Sequence, residues 1–183
     1  MALFDEMNVL QTKKHITKLY KTVHQTIKKE FTKALNPISE EIYTEALEVG
    51  FDGEISDLDE GFIEEFFEQY NPVTKYVFNN EIDRKKSRLF ESVVASTNEI
   101  HQSYKTAENL ITRQVKQYAV ELEDSVAKSV FKDLGVKKVM WVAEDDYKTC
   151  GVCNALDGEI FDLKDAPPKQ HYNCRCVLIP VKE

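Results

Sequence analysis

Cys150-Gly-Val-Cys153-Asn-Ala-Leu156-Asp157-Gly158 and, further on, Pro167-Pro168-Lys-Gln-His171-Tyr-Asn-Cys174-Arg175-Cys176 hold every cysteine of this 183-residue chain. A Cys-x2-Cys bite faces a His-x2-Cys-x-Cys bite across a loop, which is the spacing that a tetrahedral zinc ion needs. Each bite brings donors to one side of the ion, and the loop closes at modest entropic cost. In a reducing cytosol such a cluster reads as metal ligands before disulfides. The donors are expected on turns between short strands. Val136–Ala143 is rich in β-branched residues, Asp157-Gly158 is a turn leading to a strand that ends near Phe161, and Val177–Val181 is a third strand. Pro180 places that third strand at an edge, since it has no N–H for a ladder. Zinc then staples a β module too small to own a core.

Cys150, Cys153 and Cys174 are common to every arrangement of donors; the fourth is open. His171 completes a set of three cysteines and one histidine. Cys176 completes an all-cysteine set, and on an extended segment it points the same way as Cys174, with Arg175 opposite. Four protein ligands leave no place for an activated water, so the expected metal is structural. Asp146, four residues before Cys150, reads as a cap for the cysteine turn or an acceptor close to the ligands. Arg175 reads as its ion-pair partner, or that of Asp157, or as a surface charge. Trp141 reads as an apolar plate under the metal loop. A redox or nucleophilic role for Cys150 is disfavoured, because a redox Cys-x2-Cys normally begins a helix, whereas Cys150 follows a strand-like stretch and precedes an Asp-Gly turn. His15, His24 and His101 stand singly without ligand spacing.

Upstream the chain is helical. Ile16, Leu19, Tyr20, Val23, Ile27 and Phe31 recur every three or four residues, predicting an amphipathic helix over Val9–Leu35. Asn36-Pro37 is expected to end it. A short acidic helix follows from Ser39 to Val49, then a loop over Gly50–Asp59. Phe62, Ile63, Phe66, Phe67 and Tyr70 stripe the next helix as core, and Asn71-Pro72 starts another. Ile82–Leu134 has no glycine or proline and predicts one or two long helices, stopped by Gly135 at the C′ position. The fold class is therefore α+β: a helical N-terminal arm over residues 1–80, then a unit over 81–183 with long helices (82–134) and the cysteine module (136–183).

Read in full, Trp141, Asp146, Thr149-Cys150-x2-Cys153, Leu156-Asp157-Gly158, Phe161, Pro167-Pro168, His171-x2-Cys174-Arg175-Cys176 and Pro180 form a signature. It resembles the C-terminal module of tailed-phage minor head proteins, the Mu F-type or head-morphogenesis family, over roughly Arg88–Val181. In such relatives the position of His171 is not always histidine while Cys-Arg-Cys remains, which favours Cys176 as fourth ligand with His171 nearby. The resemblance implies a minor, non-enzymatic structural protein of the head. Such proteins are made beside the portal protein, enter the procapsid with it in low copy number, and support head assembly or DNA delivery. Portal, inner capsid and scaffolding proteins are the implied partners, and the virion, after assembly in the host cytoplasm, the implied location. Relatives that add toxin-like or nuclease domains do so at the C-terminus, where this chain is expected to carry none.

The net charge of −8 opposes nucleic-acid binding by the surface as a whole, yet the charge is segregated. Lys13, Lys14, Lys18, Lys21, Lys28, Lys29 and Lys33 face one acid, Glu30, between Gln11 and Leu35; twelve acids and no base follow between Glu40 and Glu68. Two solvated helix faces account for this, and the alternative is an adaptor whose basic helix meets DNA or an acidic protein. The lysine arm has no arginine, which weakens the DNA alternative. No run is apolar enough to span a membrane, the N-terminus lacks a signal-peptide pattern, and no small-molecule substrate is implied.

Overall fold

The computed structural model describes residues 2–69, 97–144, 146–171 and 174–182. The elements run α1 (Ala2–Glu48), α2 (Glu60–Gln69), α3 (Thr97–Asp133), β1 (Lys138–Val142), α4 (Gly151–Leu156), β2 (Ile160–Asp162), a 3-10 turn (Leu163–Asp165) and β3 (Val177–Val181). Long helices precede one small sheet, the α+β arrangement expected. The Asn71-Pro72 helix start and the stretch 82–96 lie outside the described residues. The chain divides into two compact units, Met1–Glu30 with Phe67–Val115, and Phe31–Phe66 with Lys116–Glu183.

In the first unit Ile27 is buried and the Lys28 ammonium lies 5.9 Å from the centre of the Phe67 ring. Lys18 and Lys29 are exposed. No helix among the described residues is long and apolar enough to cross a membrane.

The second unit carries the cysteine module. Here α1 does not stop at Asn36-Pro37; it continues through Pro37 to Glu48 and absorbs the separate acidic helix expected after it. Phe31, Leu35, Ile42 and Ala46 are all buried, so one apolar stripe passes the proline on both sides. Its burial offsets the ~3 kcal/mol that an internal proline costs. Pro37 is itself exposed, as is Lys33.

Both α1 and α3 end on a left-handed glycine, Gly50 (φ 84) and Gly135 (φ 70). Gly50 N–H donates to Leu47 C=O at 2.8 Å and Phe51 N–H to Ala46 C=O at 3.0 Å; Gly135 donates to Lys132 at 3.1 Å and Val136 to Phe131 at 2.9 Å. This bond pair needs a positive φ at C′, which glycine adopts without strain. The loop after Gly50 is fastened where it passes: Tyr43 Oη donates to Gly53 C=O at 3.1 Å, and Ser56 N–H to Asp133 Oδ2 at 2.8 Å. Asp59 Oδ1 accepts from Gly61 N–H at 2.8 Å and so caps α2.

The sheet is antiparallel in the order β2-β1-β3, with β1 central. Val139 sits opposite Phe161 and Pro180, and Trp141 opposite Leu178. Along β1 burial alternates, Val139 and Trp141 being fully enclosed. Pro180 lies on an edge strand, as its missing donor demands. Ile63, Phe66, Tyr118, Leu122, Val126, Val130, Phe131 and Val136 make up the buried helical side of this unit.

Candidate metal centre

Cys150 is the N-cap of α4, and Cys153 lies in that helix's first turn. This corrects two expectations: the cysteine pair is not on an inter-strand turn, and it does begin a helix. The cause is local. The Cys150 sulfur accepts from Cys153 N–H at 3.4 Å, and the Cys150 carbonyl accepts from Asn154 N–H at 2.9 Å. Two bonds suffice for one and a half turns, a length too short to show helical periodicity in sequence. The helix removes one argument against thiol chemistry at Cys150. The ligand reading rests instead on the donors that surround the pair.

Cys150, Cys153 and His171 have ligand atoms all within 4.8 Å of one another, and so do Cys153, Cys174 and Cys176. Cys153 belongs to both triads. All four cysteines are free thiols. Tetrahedral zinc with Zn–S bonds of about 2.3 Å sets two thiolates about 3.8 Å apart. Cys153 Sγ and Cys174 Sγ are 3.8 Å apart, and Cys153 Sγ lies 3.4 Å from His171 Nε2. The donor set therefore fits a metal ion. Cys153, Cys174 and Cys176 are buried, while Cys150 and His171 are half-buried at the rim.

The thiols differ in their readiness to ionise. Cys153 N–H bonding to its sulfur lowers Cys150 to about 7. Burial pushes Cys153 and Cys176 upward, so these two need a compensating cation to become thiolates, which a bound metal supplies. Trp141 contributes a second observation. Its ring is fully enclosed and its indole N–H has no hydrogen-bond partner among the described residues. The same indole favours the charged form of Cys176. A metal thiolate there would receive the orphaned donor.

The remaining residues singled out in the sequence build the frame. Arg175, exposed and pointing away from its buried cysteine neighbours, donates to Asp146 Oδ1 at 2.6 Å. Asp146 Oδ1 also accepts from Lys148 N–H at 2.9 Å and caps the turn into Cys150. The bond from Arg175 holds the Asp146 carboxyl down at about 2. Asp157 Oδ1 accepts from Ala143 N–H at 2.8 Å, and Gly158, at φ 77, donates to Trp141 C=O at 2.8 Å. The last two bonds tie the C-terminal end of α4 to the strand that carries Trp141.

The sequence reading missed a buried charged group that joins the ligand segment to α3. Lys169, only two residues before His171, is buried; its ammonium donates to the Cys176 carbonyl and lies 3.7 Å from Asp124 Oδ1 and 5.8 Å from the centre of the Trp141 ring. Asp124 Oδ2 pairs with Lys128 at 2.9 Å. Glu121, buried nearby and accepting from Gln117 Nε2 at 2.5 Å, is pushed up to about 8, first by burial and then by Asp124, against the pull of Lys128 and Lys169. Asp124 and Lys128 stand four apart on α3, and Asp124 lies seven before the buried Phe131. Those spacings were the available signal. A lone lysine in a polar loop carries none.

The comparisons with known proteins fall on this same region. A model of the family described as Phage Mu protein F like protein matches residues 85–179. An uncharacterized protein of Haemophilus influenzae is 30% identical over 82 residues, which is 42% of this chain and 18% of that protein. The chain therefore spans less than a fifth of that relative's length. No solved structure matches significantly. The family match takes in α3, the whole of β1 and β2, and every cysteine and histidine of the two triads, and on it the chain belongs to the family of Phage Mu protein F like proteins.

Proposed function

We propose that this protein is a minor structural component of a tailed-phage head, acting in procapsid morphogenesis and in DNA delivery through association with the portal and with inner capsid or scaffolding proteins. The observation that carries the proposal is the coincidence of the family match with the two triads, one of two cysteines and a histidine and one of three cysteines. In this reading residues 81–183 carry the role and residues 1–80 form the N-terminal arm, of which 31–66 belong to the same compact unit as the cysteine module. The metal is zinc, held by Cys150, Cys153, Cys174 and Cys176, with His171 exchanging at the rim. It closes a module of three short strands whose apolar content is small. With four protein ligands the ion has no open position, and the role is structural rather than enzymatic.

Quantitative mass spectrometry of purified procapsids and virions, scaled to the portal protein, tests this reading. A fixed low ratio in both particles is expected. Absence from both would overturn it. Substituting Cys153, the donor common to both triads, by serine is expected to unfold the module and remove the protein from heads; normal incorporation of Cys153→Ser would sink the structural zinc.

A further inference from the structure

We infer that the second unit carries a docking pocket for an acidic peptide segment. The pocket is a cavity of about 620 Å³ lined by Lys128, Lys132, Val136, Lys137, Asp162, Leu163 and Lys164. Three pieces of backbone build it. The last two turns of α3 bring Lys128 and Lys132, four apart and thus on one face. The turn after Gly135 brings Val136 and Lys137, and the end of β2 brings Asp162 to Lys164. The bond from Leu163 N–H to Lys137 C=O, 2.8 Å, zips the latter two together.

The charge is concentrated against the trend of the molecule: four ammonium groups meet one carboxylate, Asp162, in a chain of net charge −8. Lys128 is partly committed to Asp124, and Lys164 shares only a loose 3.9 Å pair with exposed Asp165. Lys132 and Lys137 are exposed. Between the lysines lie two aliphatic residues, buried Val136 and half-buried Leu163. Carboxylates spaced around an aliphatic side chain match that pattern. β2 is an edge of the sheet, so an extended segment can pair its backbone along β2 while its side chains enter the pocket.

A nucleic acid fits less well. Among the described residues the lining has no arginine for a bidentate phosphate grip and no aromatic ring for base stacking. A long polyanion would also meet the acidic remainder of the surface, whereas a short segment feels only the field within a Debye length of roughly 8–10 Å. The head-assembly reading enters only in naming the segment's source, another protein of the head; the pocket's chemistry stands without it.

The test uses the full chain with zinc present and a fluorescein-labelled ten-residue peptide alternating glutamate and valine, followed by anisotropy. Lys132→Glu/Lys137→Glu is the pocket variant, with circular dichroism as the folding control. Binding is expected to weaken with salt, and to weaken by at least about tenfold in the folded variant. Equal binding by the variant would overturn the proposal. So would no binding by the wild type, or displacement of the peptide by an oligo-dT or by inorganic phosphate at lower concentration than unlabelled peptide. Head incorporation, measured separately, distinguishes the two readings: a protein present in heads that binds no peptide loses the pocket alone, and one that binds peptide yet is absent from heads loses the head role alone.

Discussion

Lys169→Met tests whether the buried ammonium fastens the ligand segment to α3. The substitution keeps the aliphatic stem and deletes three contacts: the donation to the Cys176 carbonyl, the 3.7 Å pairing with Asp124, and the 5.8 Å approach to the Trp141 ring. Breaking one side of a buried pair costs about 3–5 kcal/mol when the remaining charge is stranded. Asp124 keeps Lys128 at 2.9 Å, so its share is smaller, roughly 1–2 kcal/mol. An unsatisfied buried carbonyl at Cys176 adds roughly 1–2 kcal/mol, and the lost ring contact adds about 0.5–1 kcal/mol. These terms overlap, and about 3 kcal/mol in total is expected, equivalent to a fall in Tm of roughly 6–12 °C for a chain of this size. The assay is urea unfolding followed through the fluorescence of Trp141, the only tryptophan, with chelator competition for the metal as a second readout. Adding Asp124→Leu to Lys169→Met is expected to recover part of the loss, because the stranded charge goes with its partner. A loss below about 1 kcal/mol, or a double variant as unstable as the sum of both singles, would refute the fastening role.

Glu121 gives the protein a pH dependence of definite sign. Its folded pKa of about 8 lies above the unfolded value, so the native state holds a proton that the unfolded chain releases. Stability is then full below the unfolded carboxylate pKa and declines as pH rises toward 8. Glu121→Gln is expected to flatten that decline and to raise stability near pH 8.5 by about 2 kcal/mol, less than the whole shift because partial hydration discounts it; urea melts across pH 5–9 measure it. Pro37→Ala removes an exposed proline from the interior of α1, and an increase of roughly 1–3 kcal/mol is expected in thermal melts monitored at 222 nm. Gly135→Ala meets no atom within 4 Å, so only backbone strain at φ 70 opposes it, and a loss of about 1 kcal/mol is expected in the same melts. For metal stoichiometry, Cys153→Ser should abolish binding, whereas His171→Ala should leave one zinc bound with faster exchange, both read by native mass spectrometry.

The cysteine-histidine cluster was legible because ligand spacing is a local property of sequence, written in Cys-x2-Cys and Cys-x-Cys. The glycine stop at Gly135 was equally legible, since a positive φ selects the residue. Three things were not. Asn36-Pro37 obeyed a local rule that Leu35, Ile42 and Ala46 override by burial, a gain that exists only when the rest of the unit is present. The α4 helix is shorter than the window in which periodicity can be seen. Lys169 depends on a partner 45 positions earlier on another element, and long-range electrostatic pairing leaves no mark in a single sequence.

The strand order β2-β1-β3 has a consequence for synthesis on the ribosome. The central strand comes first, and the neighbour that covers its second side comes after all the donors have been made. While the stretch between Asp162 and Cys174 is still emerging, Trp141 sits on a strand with an open edge, and Cys153 lacks the thiol 3.8 Å away that completes its surroundings. A chain interrupted there has a sticky edge and an incomplete donor cluster, which makes it a substrate for proteases and a seed for aggregation. Completion of the donor cluster and the arrival of the last strand thus mark the same moment, and the finished module is a token that the message has been read past Cys176.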